Sequence, residues 1–230
     1  MIYSDRRATR IVAISNYVCQ CAKKNLSVPT DRLRMVYNGV KPLKAMAAGT
    51  GAGRSLLCVG SLQPHKNLPR FIRAYQRLKS EFPDLELRVV GRPQPRFAKD
   101  PELPRLLESP GVRVLGYLSE EALADAYASS AVFCYPSLEE GFGLPILEAM
   151  SVGTIVVTSN VSCLPEIAGD SAILADPFSV ESIADGLRRA LTLEPSTRER
   201  MVTAGRERAR QFSWQRAADE YLKIYSELIP

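Results

Sequence analysis

Two spacings of hydrophobic residues alternate along most of this chain. Short apolar runs at 56–59 and 85–90 each end at a glycine, and between them apolar residues recur at three- and four-residue steps over 68–78. Short runs of this kind predict buried strands, whereas the second spacing predicts an amphipathic helix. Their alternation predicts an α/β fold, with a Rossmann-like, doubly wound parallel sheet covered by helices on both faces.

The same alternation continues to the end of the chain. It predicts strands at 112–115, 131–134, 154–158 and 172–174, and helices at 101–108, 120–128, 145–152, 180–193, 196–211 and 214–228. In sheets of this type, ligands bind at the carboxyl ends of the strands. We therefore expect the residues that follow the predicted strands to converge on one edge: Gly60-Ser61, Gly91-Arg92, Gly116-Tyr117 and Pro136-Ser137.

The N-terminal residues differ from this main segment, which is expected to span 55–212. Residues 1–40 predict a separate β-α-β fragment, with strands at 11–14 and 33–37 around a helix at 16–26. A fragment of this size cannot bury a core alone, so its strands are expected to need a partner sheet that the chain does not contain. Residues 41–54 predict a flexible linker by composition. Its glycine-rich stretch 49–53 precedes a strand and is not interpreted as a phosphate loop.

Composition narrows the class of protein. The 230 residues are 46% hydrophobic and 24% charged, without a run of apolar residues long enough to cross a membrane or an apolar signal segment at the start. Five cysteines without zinc-site spacing predict reduced thiols, and a single histidine makes a histidine-based metal site improbable. We expect a cytoplasmic protein. The basic segment 198–210 indicates either a solvated helix face or contact with anionic lipid or a partner.

A pair of carboxylates frames the most informative motif. Glu140 and Glu148 are eight residues apart, and Pro145 between them suits the first turn of a helix. Three backbone N–H groups would lie at the positive end of that helix, where phosphate binds, namely those of Phe142, Gly143 and Leu144. Because carboxylates accept hydrogen bonds from hydroxyls, both glutamates are expected to face one pocket for a nucleotide sugar. The alternative is an ordinary loop-to-helix junction with two exposed glutamates.

A second piece of the expected site follows the strand at 56–59. Gly60 permits a sharp turn before Ser61, and Asn67 can cap the next helix. Lys66 would lie beside that helix N-terminus, where a cation is disfavoured unless an anion lies between them, so its position indicates bound phosphate. A solvated lysine is the alternative. Tyr117, at a strand end, is a candidate to lie near a base.

These motifs together resemble a known family. The residues from Glu140 to Met150, with Leu164-Pro165-Glu166 and Gly169-Asp170, look like the donor-binding half of retaining GT-B glycosyltransferases of family 4. The segment from Gly60 to Asn67 looks like the phosphate loop of that family, and its form is similar to that of mannosyltransferase-like members. The similarity extends to Ser15-Asn16-Tyr17, 36–40 and Phe212-Ser213-Trp214, and so covers nearly the whole chain.

The resemblance implies a reaction and a role for each site residue. A sugar would pass from a nucleoside diphosphate to an acceptor hydroxyl with retention at the anomeric carbon, without a cofactor or metal ion. Glu140 would contact the transferred sugar, Glu148 the ribose hydroxyls, and the backbone of residues 142–144 the sugar and phosphates. Lys66 would neutralise the leaving diphosphate. Many members carry an arginine near Ser61, so this chain would depend more on Lys66. GDP-mannose is the favoured donor.

The resemblance also implies partners beyond this chain. Residues 1–40 would be the remnant of an N-terminal acceptor domain, 55–212 the donor domain, and 213–230 a helix that packs back towards the N-terminal domain. A missing domain or a partner chain would then hold a glycan or lipid-linked acceptor, and the isolated chain would be weakly active or inactive. We expect no nucleic acid and at most peripheral contact with the inner membrane face.

Three other functions are weighed against this one. The chain could be a non-catalytic sugar-nucleotide-binding subunit that completes or regulates a partner. A dinucleotide oxidoreductase is rejected, because no G-x-G-x-x-G follows the first strand of the main segment. Paired carboxylates also occur in double-displacement hydrolases, but the expected backbone cradle for phosphate argues against hydrolysis.

Overall fold

The computed structural model describes residues 8–45, 54–91 and 101–229 of the chain. The expectations for residues 1–7, for Arg92, and for the central part of the linker, including the glycine-rich stretch 49–53, lie outside these described residues. Within them, the structure contains a six-stranded sheet and a separate two-stranded sheet.

The six-stranded sheet forms the main body of the protein. Its strands are β3 (Ser55–Val59), β4 (Glu86–Val90), β5 (Val112–Gly116), β6 (Val132–Tyr135), β7 (Ile155–Ser159) and β8 (Ile173–Ala175). They lie in the order β5-β4-β3-β6-β7-β8, and every neighbouring pair is parallel. This is the Rossmann strand order, in which the direction of winding reverses beside the first strand. The fold class expected from the sequence is confirmed.

Helices connect these strands and cover both faces of the sheet. They are α2 (Leu68–Leu78), α3 (Leu103–Leu107), α4 (Glu120–Ser129), α5 (Leu144–Val152), α6 (Leu164–Ala168), α7 (Val180–Leu191) and α8 (Pro195–Arg210). Side chains alternate between faces along each strand, so Leu56 and Cys58 join one buried cluster while Leu57 joins the other. Both faces are therefore apolar, which explains the unbroken apolar runs of the sequence.

The sequence predicted every strand of this sheet to within two residues at either end, but it missed α6. That helix has only five residues and begins with Leu164-Pro165. A single turn and a half has too few apolar positions to show a helical spacing. Pro165, which suits a first turn, was the available signal.

The N-terminal unit consists of β1 (Ile11–Ala13), α1 (Asn16–Leu26) and β2 (Leu33–Met35). Among the described residues, β1 and β2 pair only with each other. Ala13 and Leu33 pack under α1, while Val36 packs against the C-terminal helix α9 (Trp214–Ser226). Helices α1 and α9 thus supply apolar cover for this pair of strands, while the expectation that the unit needs a partner sheet stays a prediction.

Helix α8 carries the basic segment that the sequence analysis interpreted as a solvated face or a lipid contact. Much of this segment is exposed, as a solvated face predicts, yet three of its arginines also donate to backbone carbonyl groups. Arg198 donates to Ala131 O, Arg206 to Val152 O, and Arg208 to the carbonyl oxygens of Glu166 and Ile167. Carbonyl groups at helix C-termini lack intrahelical partners and attract cations. Arg206 therefore caps α5 and Arg208 caps α6, whereas Arg198 binds the carbonyl group of the residue before β6.

Asn67 links three loops beneath the site. The sequence analysis expected its side chain to cap α2, but Asn67 has a left-handed backbone (φ 58°) and makes no such bond. Its amide instead donates to Pro136 O at 3.0 Å and Pro177 O at 2.7 Å, and its side-chain oxygen accepts from Arg70. Asn67 is buried, so it fastens the loop after β3 to those after β6 and β8.

We expect Asn67→Ala to lower the free energy of unfolding by about 2–3 kcal/mol. The change removes the donor to the carbonyl groups of Pro136 and Pro177. It also places alanine, which adopts a left-handed backbone less readily than asparagine, at this position. Denaturant titration measures the loss. Asn160→Ala removes an exposed amide from the loop after β7 and should stay within about 0.5 kcal/mol of the parent. Equal losses in both variants would contradict the role assigned to Asn67.

Candidate functional site

A cleft of about 680 Å³ opens at the carboxyl edge of the six-stranded sheet. It lies beside β3, where the strand order reverses, which is the position at which sheets of this type bind ligands. The ends of three adjacent strands form its floor through Gly60, Gly91 and Gly116. The predicted residues Ser61, Tyr117, Leu144 and Glu148 also line it. The convergence expected from the sequence is thus observed for these residues.

The floor of the cleft requires glycine. A Cβ added to Gly91, whose φ is 141°, would lie 1.9 Å from Gly60 O. Any side chain there would collide with the backbone of the neighbouring loop. The two loops can therefore touch, and the backbone stays open to a ligand.

Glu148 lies at the side of this cleft on α5. Its carboxylate accepts a hydrogen bond from the hydroxyl of Tyr127 at 2.9 Å. Burial raises the pKa of Glu148 above its ordinary 4.5, the nearby Glu120 adds to the rise, and the Tyr127 bond opposes it. A partly buried carboxylate with one donor has lone pairs left for ligand hydroxyls. Tyr127 was not among the predicted site residues, because in the sequence it reads only as an apolar position of α4.

Lys66 and Glu140 form an ion pair at the edge of the cleft. The Lys66 Nζ lies 2.6 Å from Glu140 Oε1 and 2.6 Å from the hydroxyl of Tyr135, to which it donates. Both charged side chains are mostly buried, at 15% and 13% exposed. The ammonium also lies 4.8 Å from the centroid of the Tyr135 ring. The position of Lys66 in the sequence indicated phosphate as its neighbouring anion, whereas in the structure this anion is the carboxylate of Glu140.

The glycine-rich loop leads from Glu140 into α5. Gly143 precedes the helix with φ 101°, and a Cβ there would lie 2.9 Å from Leu164 Cδ2. Leu144 begins the helix, and Pro145 lies in its first turn as expected. The first N–H groups of a helix lack intrahelical partners, and Gly143 has no side chain to cap them. The Phe142 side chain is buried against Tyr37 and Phe212, so only its backbone is placed to contact a ligand.

The two glutamates of the motif line different cavities. Glu148 lines the cleft, whereas Glu140 lines a neighbouring cavity of about 430 Å³ with Tyr17, His65 and Glu139. The single pocket expected for both carboxylates is therefore not observed. Lys66 lies between the cleft and this cavity. A Cβ added to Gly60, on the cleft floor, would lie 3.5 Å from Lys66 Cε, while Lys66 Nζ forms the ion pair with Glu140.

Several cleft residues were missed by the sequence analysis. They come from the segment after β2, the loop after β5, and helices α4 and α9, namely Val40, Lys41, Leu43, Leu118, Glu120, Leu123 and Trp214. Long-range packing brings these residues to the cleft, and no local pattern marks them. Tyr135 was not among the predicted site residues, yet its hydroxyl accepts a hydrogen bond from Lys66.

The described residues lack two further features. Among residues 8–45, 54–91 and 101–229, no three His, Cys, Asp or Glu side chains are grouped so as to hold a metal ion. In the same ranges, no helix has both the length and the apolar character needed to span a bilayer.

A parallel sheet in this strand order, with a ligand-sized cleft where the order reverses, is the architecture of the nucleotide-binding α/β proteins. Within that class, comparison with known families identifies a particular one. Residues 51–208 match the model of "Glycosyl transferases group 1". The chain belongs to this family, and its fold is the parallel α/β fold of GT-B glycosyltransferases.

Individual relatives agree with this assignment. The chain is 39% identical over 180 residues to an O-antigen chain mannosyltransferase B from Escherichia coli, an alignment covering 75% of this chain and 45% of that protein. It is 31% identical over 229 residues to an MMP alpha-(1->4)-mannosyltransferase from Mycolicibacterium hassiacum, covering 97% and 55%. The chain therefore spans about half the length of the curated relatives it matches.

The structure resembles that of a sucrose-phosphate synthase from Thermosynechococcus elongatus. The TM-score is 0.84 at 22% identity, covering 99% of this chain and 60% of that one. At this level of identity, the comparison supports the fold alone.

Glu148→Gln is expected to stabilise the protein at neutral pH. Because the pKa of Glu148 is raised in the folded state, its ionisation on going above pH 4.5 opposes folding, and stability falls as the pH rises through that window. A neutral amide avoids this cost and still accepts from Tyr127. Thermal melting should show a gain at pH 7 that shrinks towards pH 4. Glu139→Gln, which neutralises an exposed carboxylate nearby, serves as the control and should show no such pH-dependent gain.

Proposed function

We propose that this chain is the donor-binding part of a retaining glycosyltransferase that uses a nucleoside-diphosphate sugar, with GDP-mannose the favoured donor. The observation that carries the proposal is the cleft at the reversal of strand order. Three glycine strand ends form its floor, the carboxylate of Glu148 lies at its side, and Lys66 borders it. The family membership and the mannosyltransferase relatives support the same assignment.

Each part of such a donor matches a chemical feature of the cleft. The ribose hydroxyls donate to Glu148. The diphosphate lies over the glycine loops and at the start of α5, where free N–H groups and the helix dipole favour anions. Tyr117, which is 81% exposed at the end of β5, is placed to cover a base. The apolar cleft residues Val40, Leu118 and Leu123 suit the flat faces of the nucleoside.

The ion pair of Lys66 defines what donor binding must change. An ammonium has three N–H donors, and two of them are directed to Glu140 and Tyr135. The donor diphosphate competes with Glu140 for Lys66, because two phosphates carry more charge than one carboxylate. Glu140 is then free to accept hydrogen bonds from hydroxyls of the transferred sugar. The pair thus keeps both groups close to where they act.

The reaction would proceed on one face of the sugar. The bond from the acceptor oxygen to the anomeric carbon forms as the bond to the diphosphate oxygen breaks, and the electron pair of the broken bond passes to the diphosphate. The proton of the acceptor hydroxyl passes to a phosphate oxygen. Lys66 and the N–H groups at α5 stabilise the charge that develops on the leaving diphosphate. No metal ion or cofactor is assigned to this step, as the family resemblance predicts.

The acceptor is proposed to be a glycan or a lipid-linked sugar, held by further sequence or by a partner chain. The curated relatives are about twice as long as the chain. Nothing in the described residues favours the non-catalytic alternative, since both groups predicted to act in transfer, Lys66 and Glu140, are present and adjacent.

Calorimetry with GDP, UDP and ADP tests the donor site. We expect at least one diphosphate, with GDP favoured, to bind in the micromolar range, and little sugar transfer by this chain alone. Failure to bind any of the three would refute the assignment of the cleft. Robust transfer by this chain alone would refute the proposal that the acceptor is held elsewhere.

The two glutamates should have separable effects. Glu148→Ala should weaken diphosphate binding about tenfold, because a carboxylate that accepts from ribose hydroxyls contributes on the order of 1.5 kcal/mol. Glu140→Ala should lower transfer in the complete enzyme about 100-fold or more, with a smaller effect on diphosphate affinity. Calorimetry and a transfer assay measure the two quantities. Equal losses of diphosphate affinity in both variants would contradict these separate roles.

A further inference from the structure

The loop that carries Glu140 is held from one side by the N-terminal β-α-β unit. Ser15 Oγ donates to the carbonyl oxygen of Gly141 at 2.8 Å and accepts from Val18 N at 3.2 Å. Ser15 is fully buried and caps α1. One hydroxyl therefore both caps the start of α1 and binds the carbonyl group of Gly141, the residue after Glu140.

Glu166 also binds the start of α1. Its carboxylate accepts from Asn16 N at 2.8 Å, from Tyr17 N at 3.2 Å and from the Tyr37 hydroxyl at 2.7 Å. A carboxylate at a helix N-terminus also interacts favourably with the helix dipole. Burial raises the pKa of Tyr37 to about 12, and the hydrogen bond to Glu166 and the charge of that carboxylate add to the rise. Tyr37 therefore remains a donor throughout the neutral range. Glu166 therefore fixes the direction of α1.

The segment at the start of α6 joins these two contacts to the loop. The Cys163 thiol has one hydrogen, which the carbonyl oxygens of Glu140 and Phe142 share, with Sγ at 3.2 Å from Glu140 O and 3.1 Å from Phe142 O. Arg208 holds the carbonyl groups of Glu166 and Ile167 at the other end of α6. The carbonyl groups of Glu140, Gly141 and Phe142 are thus all fixed by side chains from other segments.

We propose that Ser15 and Glu166 are positioning residues for the Glu140 loop. They bind no part of the donor. Ser15 holds the carbonyl group of Gly141 directly, and Glu166 holds the start of α1 next to Ser15, so that the carboxylate of Glu140 is aligned with the transferred sugar. The inference rests on the proposed function. It adds that the alignment comes from the β-α-β unit, 125 positions earlier in the chain. Displacement of a reacting group by about 1 Å can lower a rate about 100-fold, so modest loosening of the loop is measurable.

This role can be separated from support of the fold. The loop remains packed by the buried side chain of Phe142 against Tyr37 and Phe212 when either polar contact is lost. Loss of a helix cap costs about 1 kcal/mol. We therefore expect Ser15→Ala and Glu166→Gln to fold. In Glu166→Gln, an amide N–H replaces one acceptor opposite the N–H groups of α1, while the size of the side chain is kept.

The test compares two affinities in each variant of this chain. Calorimetry gives the affinity for the diphosphate that binds best among GDP, UDP and ADP, and for its sugar nucleotide, namely GDP-mannose, UDP-glucose or ADP-glucose. The ratio of the two affinities is the contribution of the sugar. We expect Ser15→Ala and Glu166→Gln to keep the diphosphate affinity within twofold and to lower the ratio at least fivefold.

Matched variants sharpen the result. Ser15→Thr keeps the hydroxyl, so its ratio of sugar-nucleotide to diphosphate affinity should match that of the parent. Asp170 is an exposed acid just beyond α6, and Asp170→Asn should leave the same ratio unchanged. An unchanged ratio in Ser15→Ala and Glu166→Gln, a parallel fall of both affinities, or a parent chain that gains nothing from the sugar would overturn the proposal. A parent that binds no diphosphate would instead refute the proposed function.

Hydrogen exchange provides a second measurement. The backbone amides of residues 140–144 and of the first turn of α1 should exchange faster in both variants, while those of the central strands β3 and β6 keep their parent rates. Exchange that rises across all strands would show general destabilisation and would contradict a positioning role. If Ser15→Ala does not fold, Glu166→Gln decides the outcome by the same two measurements.

Discussion

The parallel pairing of β3 with both β4 and β6 is the constraint on which the site depends. Because all three strands run the same way, their carboxyl ends meet at one edge, and because the order of winding reverses beside β3, the loops there diverge and leave a cleft. Gly60 and Gly91 follow adjacent strands and touch through their backbones. Parallel strands need both faces covered, and the two apolar clusters above and below the sheet meet this requirement. The position of the cleft thus follows from the burial of the sheet.

Electrostatics then determines what the cleft can bind. Lys66 and Glu140 are mostly buried and neutralise each other, so neither is left as an isolated charge in a medium of low dielectric constant. Within the described part of the chain, Glu148 forms no ion pair, and its carboxylate accepts from the hydroxyl of Tyr127. Burial raises the pKa of Glu148, because it disfavours the charged form of the carboxyl group. A paired cation at one side and an under-satisfied carboxylate at the other suit a ligand with phosphate at one end and a ribose near the other.

Much of this architecture could be predicted from the sequence, for reasons that differ between elements. The strands at 56–59 and 85–90 are apolar on both faces and end at glycine, so their local pattern is strong. The motif from Glu140 to Glu148 is contiguous, so spacing alone indicated the loop and helix. What failed depended on contacts between distant residues. Four such contacts join segments far apart in sequence. They are the pairing of Lys66 with Glu140, the bond from Tyr127 to Glu148, the bonds of the α8 arginines to carbonyl groups, and the loop contacts of Asn67. The residue types indicated which interactions each side chain can make, but not which residue it contacts.

The arginines of α8 show what such distant contacts mean for the surface of the protein. Arg198, Arg206 and Arg208 contribute to the formal charge of +5, yet their guanidinium groups are directed to backbone oxygens. Arg208 donates from two nitrogens to two successive carbonyl groups, which the single ammonium of a lysine cannot reproduce with the same planar geometry. For protein engineering, α8 is therefore a poor place to exchange arginine for lysine or to lower the isoelectric point. Charge could instead be altered at Arg200 or Arg210, which are exposed on the outer side of the same helix.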